Sequence, residues 1–128
     1  MSDITSAPNP QVPQVRQGSF NLNAAAGTYN LLTATGDVYV EIQTCYVKTA
    51  AAGLTSVTVQ TDHTVPKSIV ASIVQAVITL DLTMTVVTSS FVLPSGKKIT
   101  GTIVGTGSGG EILVVVRYVP LTSGATLA

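Results

Sequence analysis

From Gly18 onward, apolar and polar residues alternate with a period near two. This is the signature of strands with one buried face. Ser19-Phe20-Asn21-Leu22-Asn23 alternates and ends in the small-residue run Ala24 to Gly27. Thr28 to Thr33 follows and is closed by Thr35-Gly36-Asp37. The longest signal is Val38 to Thr49. Strict alternation there puts Val38, Val40, Ile42, Thr44 and Tyr46 on one face. Tyr39, Glu41, Gln43, Cys45 and Val47 fall on the other. Ala50-Ala51-Ala52-Gly53 reads as a turn, which would make Leu54 to Thr61 the second arm of a hairpin. Ser90 to Leu93, Lys97 to Val104 and Glu111 to Val119 are further strands, and Thr83 to Thr88 is expected to be one. Glu111 to Val119 is apolar on both faces, so it is expected at the centre of a sheet.

Lys67 to Leu80 is ambiguous. Ile69, Ile73 and Val77 are four apart, and Pro66 could occupy a first helical position. The β-branched residues argue for strand instead. Helix and strand both remain open there. The pattern predicts an all-β chain of about eight strands, a single antiparallel β-sandwich of jelly-roll-like kind.

The first seventeen residues break the pattern. Pro8, Pro10 and Pro13 alternate with Asn9, Gln11, Val12 and Gln14. Such spacing bars helix and favours extended, polyproline-like backbone. The chain therefore divides into an N-terminal arm, residues 1–17, and a sandwich domain, residues 18–128. The arm either stays unordered or orders against a partner. In the second case Ile4, Val12 and Val15 are its apolar anchors. Pro8, Pro10 and Pro13 lower the entropy lost on ordering.

Composition sharpens this picture. Six basic and six acidic residues make 9% of the 128, with a net charge of zero. An average soluble domain carries roughly 25%. Nucleic acid and anionic membrane surfaces therefore find no attracting field. Val, Thr and Ile supply 46 residues, 19, 19 and 8 respectively, too many for a disordered chain. No stretch approaches the roughly 20 apolar residues of a membrane-spanning helix. Met1 to Pro8 lacks the basic and apolar regions of a secretory signal, and one cysteine forms no internal disulfide. Synthesis in a cytoplasm is expected.

Candidate chemistry is sparse. Gly105, Gly107 and Gly110 satisfy G-x-G-x-x-G, but a strand follows where a dinucleotide site needs a helix N-terminus. Pro94-Ser95-Gly96-Lys97-Lys98 contains Gly-Lys without the rest of a phosphate-binding loop. Lys97, Lys98, Gly107 and Gly109 are candidate loop contacts to a neighbour. His63 beside Asp62 would serve a small hydrolase only with a nucleophile, and no G-x-S-x-G elbow occurs. One His and one Cys make no ordinary zinc site. No catalytic, metal or cofactor residue is assigned. A surface so poor in charge is suited to being covered, because Thr and Ser tolerate partial burial through hydrogen bonds.

Several segments carry a resemblance. Gly27-Thr28-Tyr29-Asn30-Leu31-Leu32, Gly36 to Glu41, Leu54 to Thr61, Leu93 to Ile103, and Gly109-Gly110 ahead of Arg117 to Leu121 make a texture of Thr/Val/Gly-rich strands and turns. Across about residues 18 to 127 this resembles the capsid decoration (cement) and minor head proteins of tailed bacteriophages. The resemblance implies a jelly-roll or related β-fold and a homo-oligomer, a trimer favoured. It also implies a place on the capsid exterior of a virion, bridging subunits of the major capsid protein. It carries over no catalytic residue. A receptor- or glycan-binding module of a phage head or tail fibre is the alternative.

Overall fold

A computed structural model describes residues 12–128. It holds seven strands: β1 Gln14–Asn21, β2 Gly27–Thr35, β3 Val38–Thr61, β4 Ser68–Val74, β5 Ser90–Leu93, β6 Lys98–Pro120 and β7 Thr126–Leu127. Every pairing is antiparallel. The axis of the fold is a ribbon of β3 and β6, paired from Val38 opposite Pro120 to Thr61 opposite Ile99. β5 and β1 flank one half of this ribbon on its two sides. β4 and β2 flank the other half, with β7 beyond β2.

The two halves close on one core. Val38, Val40, Ile112, Val114, Val116 and Tyr118 from the first half join Val57, Val59, Ile69, Ile99 and Ile103 from the second. Each side chain so buried contributes about 1.5–3 kcal/mol. Phe20 of β1 lies flat against Gly101 of β6, so that a Cβ at Gly101 would collide with the ring. The result is the all-β, antiparallel, sandwich-like architecture expected from the alternation.

Three expectations are corrected. Ala50–Gly53 is not a hairpin turn, and Leu54–Thr61 does not pair with the strand before it. Both segments belong to β3 and face β6, with Ala52 opposite Gly109 and Leu54 opposite Gly105. Gly105–Gly110 is likewise strand, not a loop. Small residues stand on both strands at the same level, so the ribbon creases there as a unit instead of reversing. Register shifts crowd between Val47 and Ser56, and Gly53, Gly105 and Gly110 have φ of +82°, +78° and +115°. Those are angles that glycine adopts freely. Merging strand pairs across this crease is why seven strands replace about eight.

The second correction concerns the faces of β3. Ile42 opposes Val116 but Thr44 opposes Val115, so β3 carries one extra residue there. A one-residue bulge moves every later side chain to the other face. Cys45 and Val47 therefore point into the core with Val38 and Val40, all fully buried.

The ambiguous segment is split. Residues 68–74 are strand, and a single 3-10 turn, Gln75–Val77, follows. Thr83 to Thr88 is an irregular edge instead of a strand. It runs beside β3 through Leu82 O accepting from Val47 N–H, Cys45 O accepting from Met84 N–H, and Ser89 O accepting from Ile42 N–H. At the N-terminal end, β1 starts at Gln14, immediately after Pro13 and four residues ahead of Gly18. Proline has no N–H for a ladder, which suits it to the position before a strand.

Candidate assembly surface

The residues that suggested catalysis are occupied with holding the fold. His63 Nε2 donates to the Val92 carbonyl at 2.7 Å, and Nδ1 lies 2.6 Å from the Thr61 hydroxyl. A carbonyl only accepts, so in the neutral ring Nε2 carries the proton and Nδ1 accepts from Thr61. Thr61 Oγ1 also accepts the Lys67 N–H at 3.0 Å. The ring meets Phe91 edge-on, with centroids 6.1 Å apart. His63 thus clips the end of β3 to β5. Asp62 accepts from the Lys98 N–H at 2.6 Å and faces Lys98 Nζ at 3.9 Å. The two neighbours in sequence do not form a dyad. Burial pushes the Cys45 thiol up to about 12, which removes the thiolate a nucleophile needs. Among the described residues no group of three His, Cys, Asp or Glu stands where a metal could be held. No helix among them is long and apolar enough to cross a membrane.

The expected contact residues fall at separate places. Ile4, Pro8 and Pro10 lie outside the described residues. Val12 and Pro13 are exposed and lead into β1, where Val15 is 59% exposed opposite Arg117. Lys97 and Lys98 close the turn after β5. Gln14 opposes Tyr118, Pro120 opposes Val38, and Val38 opposes Leu93, so the arm leaves from the ribbon end where the turn after β5 begins, while Lys98 at the end of that turn stands beside Ile99 at the Thr61 end. Gly107 and Gly109 lie at the crease, about 30 Å along β6 at ~3.4 Å per residue. Gly107 is buried, its N–H donates to Ala24 O, and a Cβ there would strike the Leu22 carbonyl. Its bareness serves a contact within the chain.

Charge is neutralised locally. Three ion pairs occur among the described residues: Arg117–Glu41 at 3.4 Å, Lys48–Glu111 at 3.8 Å and Lys98–Asp62. The first two bridge β3 and β6 across the ribbon. Exposed pairs of this kind stabilise by at most about 1 kcal/mol, and they leave little field at the surface.

An apolar groove is the feature that the alternation did not point to. It has a volume of about 330 Å³ and lies between β4 with its 3-10 turn and the edge segment 82–87. Val70, Ala71, Ile73 and Val77 form one wall; Leu82, Met84 and Val87 form the other, with Thr83 and Thr85. No charged residue lines it among those described. Val77 and Val87 in its walls are 50% and 61% exposed, and Val74 and Leu80, close by in the chain, are exposed too. The Val87 N–H bonds to Ile69 O and closes one end. The signal was present as the doubled apolar pattern of 69–77. Ile69 and Val70 serve the core, Ile73 packs against it from the groove side, and Val74 and Val77 are left exposed.

No family model and no curated protein matches this chain. Solved structures do. One is a chain in the acidic stable capsid structure of the Helicobacter pylori bacteriophage KHP30. It superposes with a TM-score of 0.58 at 16% identity, over 91% of this chain and 93% of that one. A second is a chain of the Bacillus endospore appendages, described as disulfide-linked pili, with a TM-score of 0.44 at 17% identity, over 93% of this chain and 99% of that one. The first likeness establishes a shared fold along nearly the whole of both chains.

Proposed function

We propose that the protein is a non-enzymatic structural subunit of a bacteriophage virion that decorates and stabilises the capsid by bridging capsid subunits. The observation that carries this reading is the fold shared end to end with a chain of a phage capsid structure. Three features of this chain support it. The surface holds few charges, and three pairs of them cancel. The groove and the chain close by expose valine and leucine that water leaves unsatisfied. His63, Asp62 and Cys45 are committed to structural roles. The protein acts as a homo-oligomer, a trimer favoured, on the outside of the shell. Val12, Pro13, Val15 and the lysine turn meet the major capsid protein.

The test is imaging of particles made with and without the protein, followed by adding it back. Particles lacking it should lose discrete density on the outer shell, regain it on addition, and withstand less heat. Particles identical in density and heat resistance with and without the chain would end the proposal.

A further inference from the structure

The groove beside β4 needs an occupant, and the chain has a segment to supply it. Residues 1–11 precede the described part and carry one charge, Asp3. Met1 to Ala7 is free of proline, is as long as the seven-residue β4, and has Ile4 at its centre. Pro8, Pro10 and Pro13 follow it, a composition that favours a stiff spacer over a hydrogen-bonding strand. An uncharged cleft beside an edge strand is suited to an extended segment that inserts an aliphatic side chain. The flanking charges also fit. Lys67 lies just beyond the Ile69–Val87 end of the groove and Asp81 stands at the Leu82 end, so Asp3 is favoured toward Lys67.

Position decides whose segment it is. β1 lies on the β6 side of the ribbon, and β4 lies on the β3 side. A chain leaving β1 therefore departs from the edge opposite its own groove. With Met1–Ala7 seated in a groove, Pro8 to Pro13 are left as the spacer and reach about 19 Å at the polyproline rise, enough for a neighbour set directly beside that edge. We infer that Met1–Ala7 of one copy docks in the β4 groove of the next, with Ile4 seated among Val70, Ile73, Val77 and Val87. Each copy gives at one edge and accepts at the other, a head-to-tail contact of the kind that builds a ring when its rotation closes. This rests on the oligomeric part of the assembly reading and names the contact that would make it.

Cross-linking in the full chain tests it. One population carries Ile4→Cys and a size tag; the other carries Val77→Cys. Cys45 is fully buried and does not compete. Mixed and oxidised, the two should give a cross-linked pair as the main product. Moving the second cysteine to Val92, on β5, should cut the yield at least ~10-fold, and adding Val87→Lys to the acceptor should do the same. Light scattering should show Ile4→Asp shifting the assembly toward monomer. The inference is overturned by cross-linking that appears only within a doubly substituted single chain. It is equally overturned by a yield no higher than at Val92. Failure here with particle binding intact sinks the exchange alone; cross-linking without particle binding sinks the capsid reading alone.

Discussion

The two outer strands that flank the ribbon, β1 and β4, differ in how completely they are finished. β1 pairs residue for residue with β6 from Gln14 opposite Tyr118 to Asn21 opposite Glu111, with no register shift. Its inward side chain Phe20 is 1% exposed and seals the second half of β6 at Gly101. Arg16 lies over the Tyr118 ring, 5.9 Å from its centroid, and Ser19 donates to Glu111. β4 pairs with β3 through two register shifts and then gives way to a 3-10 turn. It carries no charge and no proline, the devices by which edges are usually protected. β1 is an edge built to hold the monomer together, whereas β4 is an edge left open for another surface.

The largest effect should come from breaking the finished edge. Phe20→Ala removes the ring that joins the two halves and leaves a cavity over Gly101. Denaturant unfolding should show a loss of about 3–5 kcal/mol. A loss below 1 kcal/mol would mean that β1 is as loosely attached as β4. Gly107→Ala comes next. The Cβ meets the backbone carbonyl of Leu22 in the link from β1 to β2, and backbone yields less readily than a side chain. The expected cost is about 1–3 kcal/mol. The same change at Gly96, which has open space around it, costs only its positive φ of +85°.

His63 sharpens the comparison along the β3 side. There His63 clips the β5 end through its ring, while the start of β4 is tied to Thr61 through the N–H and carbonyl of Lys67. His63→Ala leaves the fully buried Thr61 hydroxyl with one partner fewer and frees the Val92 carbonyl. A loss of about 1–2 kcal/mol is expected, with faster hydrogen exchange confined to β5 and the 62–67 loop. Exchange that quickened equally in β1 would show that the clip acts globally.

Cys45 gives a pH test of the same core. Its thiol ionises near 9.0 when unfolded and near 12 when folded. Above pH 9 the unfolded chain loses a proton that the folded chain keeps, so stability falls as pH rises. The slope approaches about 1.4 kcal/mol per pH unit between the two values. The contribution is fully present below pH 9. Cys45→Ala, which has no proton to lose, should flatten that part of the profile.

What could be read in the sequence follows from the range of the interactions concerned. Val38 to Ile42 and Glu111 to Val119 were legible because alternation is local, whereas the first strand was read only from Ser19 and in fact begins at Gln14, among exposed residues that show no alternation. The faces of Cys45 and Val47 were misread because a bulge is set by the partner strand, which the alternation within β3 does not contain. Ala50–Gly53 looks the same whether a chain reverses or creases. Only the matching glycines of 105–110 across the ribbon decide between them. The groove was legible only in part: the doubled apolar pattern of 69–77 marks one wall, but 70–77 and 82–87 belong together only once the edge segment has been laid beside β3.

The smallest effect on stability separates the two edges most cleanly. Val74→Lys changes a side chain on β4 that is already 55% exposed. Unfolding free energy should move by no more than about 0.5 kcal/mol, as for most surface changes. A lysine on an open edge nevertheless opposes pairing with another chain, because docking would strip water from its charge. Light scattering across a concentration series should therefore show weaker self-association at nearly unchanged Tm. Arg16→Ala on β1 should do the reverse: some stability is lost with the cation–π contact, and association is unaltered. If Val74→Lys instead unfolded the protein and left association alone, β4 would be a finished edge like β1, and the contrast between them would disappear.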